Sequence, residues 1–331
     1  MYPPNSTNIN RNFYMDLDEK KTPYLVVTPI HKTLNFEVIL FHGASPFGEE
    51  HPSMINLALA LANSGIKVYI PRLPKLTELE LNSNTIDLIA HYYLYIKSIS
   101  SKNIVPAGIS FGGGLLIKAM VKDKIKDKLP KSILTYGTYY SLESSIKFLI
   151  SGVIDNNGIH EYVKPNVWGL IVLFHNYIAG INAGFNTRNI QKILKLRVLN
   201  KVIESEKLME DLPDDEKGLL RDIFNSSQTP QIQKLIELMK KRYRKDMVSI
   251  SPAEICDKIN FHVFLMHGAN DSMVPYTESI KLNKKLENSS LFISGIYEHR
   301  ELSGGNSIIQ KLIEFYRMSS FFTKFMDFNG N

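Results

Sequence analysis

The stretch that decides the fold is residues 104–114, which reads IVPAGISFGGG. Residues 104–109 form an apolar run that predicts a buried strand, and residues 111–121, rich in Leu, Ile and Ala, predict a helix. Between them, Gly108-Ile109-Ser110-Phe111-Gly112 fits the pattern G-x-S-x-G. A turn this tight needs flanking positions without side chains, and it lifts the serine oxygen above the sheet. The stretch therefore predicts a strand–turn–helix with Ser110 at its apex.

Strands and helices alternate on both sides of this stretch. We predict strands over 24–28, 36–41, 66–70 and 132–136 and helices over 53–63, with Ser53 as N-cap, and 85–99. After Pro252 the rhythm returns, with strands over 261–266 and 290–294 and helices over 276–287 and 306–328. Such alternation is typical of a mostly parallel sheet with helices on both faces, an α/β fold.

Residues 141–250 interrupt this alternation. They contain no convincing buried strand, and their spacing predicts helices over 167–181, 187–206, 215–225 and 231–243. We therefore expect a core of residues 1–140 and 251–331 with residues 141–250 as an inserted helical cap or lid. The apolar aromatic stretch of the insert either lines a pocket for an acyl group or forms the insert's own core; it comprises Trp168, Leu170, Ile171, Phe174 and Tyr177.

Asp271 lies in the loop that follows the strand over 261–266, in His267-Gly268-Ala269-Asn270-Asp271. A carboxylate there reaches the carboxyl-terminal edge of the sheet, where ligands bind in open α/β sheets. The alternative is a loop aspartate that caps the next helix.

His299 lies just after the strand over 290–294 and before the last helix. Ser110, Asp271 and His299 follow one another in the chain order of one known type of catalytic triad. The alternative is a surface-loop histidine. His42 and His267 each end a strand next to a glycine, and we interpret them as structural or close to substrate.

The loop after the strand over 36–41 reads His42-Gly43-Ala44-Ser45-Pro46. In this setting it supplies a second N–H to an oxyanion hole, and Ala44 and Phe111 are the candidate donors. His42, Gly43 and Gly112 are candidates for residues near the substrate. The alternative is an ordinary turn.

Together these residues resemble the α/β-hydrolase family, over residues 24–137 and 252–328. The resemblance implies an eight-stranded, mainly parallel sheet with a helical cap inserted after the sixth strand. It also implies that Ser110 is a nucleophile, His299 its base and Asp271 the acid that orients the base. Three related groups within the family fit less well. The loop after His42 is not the HGGG run of hormone-sensitive-lipase-like esterases. The turn between strand and helix, called the elbow below, carries Ser110 rather than the Cys of dienelactone hydrolases or the Asp of haloalkane dehalogenases and soluble epoxide hydrolases.

The expected function is hydrolysis of a small-molecule carboxylic ester through a serine triad. Three alternatives stay open: a peptidase or amidase with the same triad, a non-catalytic ligand-binding protein, and a membrane-associated lipase. We find no H-E-x-x-H, no paired C-x-x-C and no P-loop, so we expect no metal and no organic cofactor.

The composition limits the binding partners and the cellular location that we expect. The chain has 331 residues, 44% of them hydrophobic, with a formal net charge of +6. The lysines are spread widely, and the densest basic stretch, residues 240–245, is interpreted as a solvated helix face, so no nucleic-acid partner is expected. The single cysteine, Cys256, predicts packing rather than a disulfide. Without a signal peptide or a long enough apolar stretch, we expect a cytoplasmic protein, with membrane association not expected.

Overall fold

The computed structural model describes residues 7–31, 33–295 and 308–330. Within them, the strands in chain order are β1 (Thr7–Met15), β2 (Lys21–Pro29), β3 (Phe36–Phe41), β4 (Lys67–Pro71), β5 (Asn103–Ile109), β6 (Ser132–Tyr136), β7 (Val153–Asn156), β8 (Ile159–Tyr162), β9 (His262–Gly268) and β10 (Ser289–Ser294). Eight of them form one sheet in the order β1-β2-β4-β3-β5-β6-β9-β10, and β7 and β8 pair separately.

The sheet is parallel from β4 to β10, while β2 runs antiparallel to both β1 and β4. The predicted eight-stranded, mostly parallel sheet is confirmed. The edge strand β1 was not expected from the sequence, because most of its side chains are exposed and it carries no buried apolar run. By contrast, every residue of the central strand β3 is buried, as expected for a parallel strand covered on both faces.

Helices cover both faces of the sheet. In chain order they are α1 (Pro52–Asn63), α2 (Pro74–Thr77), α3 (Asn84–Ile99), α4 (Phe111–Ala119), α5 (Leu142–Ser151), α6 (Val167–Tyr177), α7 (Thr187–Val198), α8 (Val202–Glu210), α9 (Asp214–Asn225), α10 (Pro230–Arg242), α11 (Arg244–Ser249), α12 (Thr277–Lys285) and α13 (Ile308–Gly330). Helices α3 and α4 pack on one face, and α1 and α13 pack on the other.

Two local expectations were wrong. The N-cap of α1 is His51, whose ring nitrogen Nδ1 accepts a hydrogen bond from the N–H of Ser53 at 3.2 Å, so Ser53 lies inside the helix. The single helix expected over residues 187–206 is two helices, α7 and α8. Asn200 separates them with φ of 62°, a left-handed conformation that ends a helix.

The elements α5 to α11, with the β7–β8 hairpin, lie between β6 and β9 along the chain, and residues 141–250 are called the insert below. The apolar side chains of these helices are continuous with the core on the α3–α4 face of the sheet. The hairpin is short, and most of its side chains are exposed.

The buried carboxylate of Glu278, on α12, anchors the start of the insert. It accepts hydrogen bonds from the N–H groups of Tyr140 at 3.0 Å and Ser141 at 2.9 Å. The hydroxyl of Ser144 donates to it at 2.8 Å, and Lys281 neutralises it at 2.6 Å. A buried carboxylate is stable only when its lone pairs and charge are satisfied in this way. The first turn of α5 is thereby tied to the sheet domain.

Candidate active site

Ser110 forms the turn between β5 and α4, with φ of 53° and ψ of −127°. A residue with a side chain rarely adopts this conformation, which costs about 1–3 kcal/mol unless its surroundings enforce it. Here the Ser110 N–H donates to the Tyr136 carbonyl at 2.7 Å, and its own carbonyl accepts from the Gly113 N–H at 3.0 Å. The strained turn is therefore held from both sides.

The glycines of the motif are required by close backbone packing. A Cβ on Gly108 would lie 2.6 Å from the Cα of Gly113, and a Cβ on Gly112 would lie 2.3 Å from the His42 carbonyl oxygen. Both distances are far below normal van der Waals contact. The spacing G-x-S-x-G thus reflects helix α4 pressing on the end of β5 and on the loop after β3.

His42, a candidate substrate-near residue, is buried, and backbone groups occupy both of its ring nitrogens. Nδ1 donates to the Gly43 carbonyl at 2.7 Å, and Nε2 accepts from the Leu73 N–H at 3.0 Å. Burial lowers the pKa of His42 to about 4, so the ring is neutral near pH 7. This bonding joins the loop after β3 to the chain beyond β4.

Gly43 and Ala44 bring that loop next to the serine. A Cβ on Gly43 would lie 3.1 Å from the Ser110 Cβ. Ala44 lines the same two cavities as Ser110. Phe111 is the first residue of α4, where an N–H has no acceptor within the helix. Its ring stacks on Tyr139 with centroids 5.2 Å apart. The residues predicted to hold an oxyanion thus lie around Ser110.

Asp271 is buried in the loop after β9, with 1% of its surface exposed. Its Oδ1 accepts hydrogen bonds from the N–H groups of Met273 at 2.8 Å and Val274 at 2.9 Å. Its Oδ2 lies 3.4 Å from Nε2 of His267. Two backbone donors stabilise the ionised form of a carboxylate. Asp271 is therefore held within its own loop and does not cap α12, whose N-cap residue is Tyr276.

His267 fixes the loop that carries Asp271, a role that the sequence did not reveal. Its Nε2 lies 2.9 Å from the Val274 carbonyl, which only accepts, so this nitrogen carries the proton. Its Nδ1 lies 2.7 Å from the Ser279 hydroxyl on α12. The side chain is fully buried. The sequence signal for this role was the spacing His-Gly-x-x-Asp at the end of a strand. The hydrogen bond to Ser279 on α12 could not be predicted from that spacing.

His299 lies outside the described residues, between β10 and α13. Its role as base, and its distances to Ser110 and Asp271, stay predictions.

Ser110 opens into a cavity of about 370 Å³ beneath the insert, called here the insert-side cavity. Helix α6 contributes Trp168, Gly169, Val172 and Leu173, and α5 contributes Leu142, Ser145, Ile146 and Leu149. Ser110 also lines a second, apolar cavity of about 350 Å³ that reaches between the sheet, α1 and α13.

From the sequence, the apolar aromatic stretch of the insert either lined a pocket or formed a core, and in the structure its residues do both. Trp168 is partly exposed and lines the insert-side cavity. The other four residues, Leu170, Ile171, Phe174 and Tyr177, are buried in the core. The lining residues 168–169 and 172–173 are four apart, so one face of α6 lines the cavity and the other packs.

No protein-family model and no curated protein matches this sequence. Solved structures do match. An acetyl xylan esterase from Paenibacillus sp. R4 superimposes with a TM-score of 0.53 at 13% identity, covering 97% of this chain and 85% of that one. An esterase from Pyrococcus furiosus gives 0.52 at 12% identity, covering 98% and 92%. An acylaminoacyl peptidase from Pyrococcus horikoshii gives 0.52 at 13% identity, covering 97% of this chain and 42% of that one.

This chain has the α/β-hydrolase fold. The identities of 12–13% to these structures establish the fold and not the function, because one fold serves many functions.

The other residues singled out in the sequence, Cys256 and the basic stretch 240–245, lie outside the turn at Ser110 in this α/β-hydrolase fold. Cys256 is buried, with Sγ 3.4 Å from the Pro252 carbonyl, and burial raises the pKa of its thiol to about 11, so it is an inert packing residue. Most of the basic residues at 240–245 are exposed to solvent. Among the described residues, no group of three or more His, Cys, Asp or Glu side chains is arranged to hold a metal ion.

None of the helices in the described part of the chain combines the length and the apolar character that crossing a bilayer requires.

Proposed function

We propose that this protein is a serine hydrolase that cleaves a carboxylic ester. The observation that carries the proposal is the backbone of Ser110, a non-glycine residue with φ of 53° at a strand–helix turn that opens into a cavity. Such strain persists where function needs it. A packing turn has no need of a serine there, because glycine adopts the same conformation without strain.

In the proposed reaction, the Ser110 hydroxyl attacks the acyl carbon and its proton passes to the imidazole of His299. The N–H groups of Phe111 and Ala44 hold the resulting oxyanion. The C–O bond to the alcohol then breaks, and the imidazolium gives its proton to the leaving alcohol. Water repeats the attack on the acyl-enzyme, releasing the acid and restoring Ser110.

Asp271 orients the imidazole and stabilises its charged form in this scheme. Its Oδ1 is held by two backbone N–H groups, and Oδ2 is the oxygen that faces the ring of His267. His267 is buried and both of its ring nitrogens are engaged, Nε2 with the Val274 carbonyl and Nδ1 with the Ser279 hydroxyl, so it is not available as the base. The proposal assigns the base role to His299, which follows Ser110 and Asp271 in the chain order of the triad.

The insert acts as a cap in this proposal. Its helices α5 and α6 form much of the wall around Ser110 and limit the access of water to the reacting atoms.

The test is hydrolysis of p-nitrophenyl acetate by the full chain and by Ser110→Ala, Asp271→Asn and His299→Ala. We expect each variant to lose several orders of magnitude in kcat, and the double variants to lose little more than the singles, since the three residues act as a unit. Ser98→Ala is the matched control, because Ser98 is exposed on α3 and its hydroxyl donates to the Tyr95 carbonyl of the same helix. Equal rates in wild type and Ser110→Ala would reject the proposal.

An ester and an anilide with the same acyl group separate the esterase from the peptidase or amidase alternative. We expect the ester to be cleaved and the anilide to be cleaved far more slowly or not at all. Preferred cleavage of the anilide would favour the alternative.

A further inference from the structure

We propose that the insert-side cavity binds the acyl chain of the ester, and that this chain is apolar, uncharged and longer than acetyl. The inference rests on the proposed function, and it names the substrate class: esters of medium-chain carboxylic acids.

The described residues in the walls of the cavity are uncharged. Among the described residues that line it there is no Asp, Glu, Lys or Arg. An ionised group placed there would lose its hydration without gaining a partner, which is strongly unfavourable. Acyl groups that carry a carboxylate or an ammonium are therefore excluded.

The polar groups deep in the cavity wall are already used. The Tyr139 hydroxyl donates to the Ile250 carbonyl at 2.7 Å, and the Ser145 hydroxyl donates to the Ser141 carbonyl at 3.0 Å. A peptide or a sugar in this space would bury N–H or O–H groups without partners, at about 1–3 kcal/mol each. An alkyl chain has no such groups, so it is the ligand that the wall accepts.

The exposed lining residues mark the opening of the cavity. Asn200 is exposed at the break between α7 and α8, and Phe47 is 56% exposed after β3. The inner wall is apolar: it comprises Leu79, Leu81, Ile146, Leu149, Val172 and Val198. The polar end of a ligand thus faces solvent or Ser110, and its apolar part lies inside.

The approach of α6 to α5 sets the position of the wall. A Cβ on Gly169 would lie 2.4 Å from Cδ2 of Leu149, so a side chain at this position would displace Leu149 from its place in the wall. One turn along α6, the partly buried Val172 also lines the cavity. A larger side chain at Val172 would occupy part of the space left to a ligand.

The acyl group, rather than the alcohol, is assigned to this cavity for two reasons. Phe111 and Ala44, the proposed donors to the acyl oxygen, both line it. The acyl group also has to stay in place after the alcohol has left, and a cavity enclosed by the insert can retain it.

The experiment measures kcat/KM for two series of esters with the full chain. In the first, the acyl group grows from acetate to decanoate with a constant p-nitrophenol leaving group. In the second, the acyl group is acetate and the alcohol grows. We expect kcat/KM to rise about fourfold per methylene along the first series until the cavity is full. This factor corresponds to complete burial of each methylene, which contributes about 0.8 kcal/mol. We expect the second series to change little.

Substitutions at Val172 test the location. Val172→Trp should lower the ratio of kcat/KM for hexanoate over acetate by about tenfold or more, and Val172→Ala should move the optimum to a longer chain. Val248→Trp is the matched control, because Val248 is 40% exposed on α11 and lies outside both cavities. It should leave the profile unchanged. Circular dichroism establishes that each variant is folded, and the opposite shift in Val172→Ala keeps the test decisive if the tryptophan variant does not fold.

The outcomes separate this inference from the proposed function. If wild type hydrolyses acetate through Ser110 but its acyl profile is flat, or if the alcohol series responds instead, the acyl-chain inference is wrong and the hydrolase proposal stands. The inference is also wrong if both Val172 variants keep the wild-type profile. If wild type hydrolyses no ester through Ser110, the proposed function itself fails.

Discussion

Ser110 has a backbone conformation that glycine adopts without strain and serine does not. Ser110→Gly should therefore be more stable than Ser110→Ala by about 1 kcal/mol, because alanine keeps the backbone strain and glycine relieves it. This difference already includes the opposing effect that glycine loses more conformational entropy on folding. Both variants should be inactive. Urea unfolding of the pair measures the difference, and an alanine variant at least as stable as the glycine variant would contradict a strained elbow.

His42 should make stability depend on pH. Its folded pKa of about 4 lies below the ordinary value of about 6.5, because the buried ring resists charging. The unfolded chain therefore binds more protons between these values, and stability falls as pH drops from about 6.5 toward 4. The contribution is on the order of 3 kcal/mol. It is fully present above about pH 6.5.

Urea unfolding at pH 7 and pH 4.5 measures this effect. His175 and His262 also have lowered pKa values through burial and act in the same direction, so wild type is compared with His42→Gln. The variant should lose less stability on acidification than wild type. Equal losses would show that His42 does not titrate as described.

His267→Ala should lower the free energy of unfolding by about 2–4 kcal/mol. The change leaves the Val274 carbonyl and the Ser279 hydroxyl without a buried partner and opens a cavity in the core. Ser279→Ala, which removes one of these bonds, should cost only about 1 kcal/mol. Chemical denaturation of both variants checks the order. A His267→Ala loss no larger than that of Ser279→Ala would contradict the bracing role.

At the junction of the sheet and the insert, Glu278 joins α12 to the first turn of α5. Glu278→Ala should speed amide hydrogen exchange at Tyr140 and Ser141, because their N–H groups lose a buried acceptor. Glu143→Ala is the control, since Glu143 is on α5 with its side chain 54% exposed. Unchanged exchange at both amides in Glu278→Ala would mean that other contacts hold the junction.

The elements that the sequence predicted well are those whose signal is local. Strand β3 is an unbroken buried run, and the glycines around Ser110 are required by contacts within the motif and with the adjacent loop. Strand β1 lacks such a signal, because an exposed edge strand needs no apolar pattern. The break at Asn200 was missed for a similar reason: the helical spacing continues on both sides of it.

Roles that depend on distant partners could not be predicted. The ring of His42 accepts from Leu73, 31 residues away, and that of His267 bonds Ser279, 12 residues away. From the sequence, both histidines were either structural or close to substrate. The use of α6 as both wall and core was likewise left open, because apolar side chains on two faces of a helix give no indication of which face meets a cavity.

In the molecule as a whole, the parallel sheet brings the ends of β3, β5 and β9 to one edge, and helices α5 and α6 of the insert form part of the wall of the cavity that Ser110 lines. The loops from these strands carry the groups to which the proposed chemistry assigns roles, with the oxyanion donors after β3 and β5 and the acid after β9. The central claim is that this arrangement makes the hydroxyl of Ser110 an activated nucleophile.

Labelling with a fluorophosphonate, followed by mass spectrometry of the digested protein, tests that claim most directly. We predict that wild type is labelled stoichiometrically on the peptide containing Ser110, that Ser110→Ala is not labelled, and that Ser98→Ala is labelled like wild type. A folded wild-type protein that takes up no label, or one labelled equally in Ser110→Ala, would contradict the account.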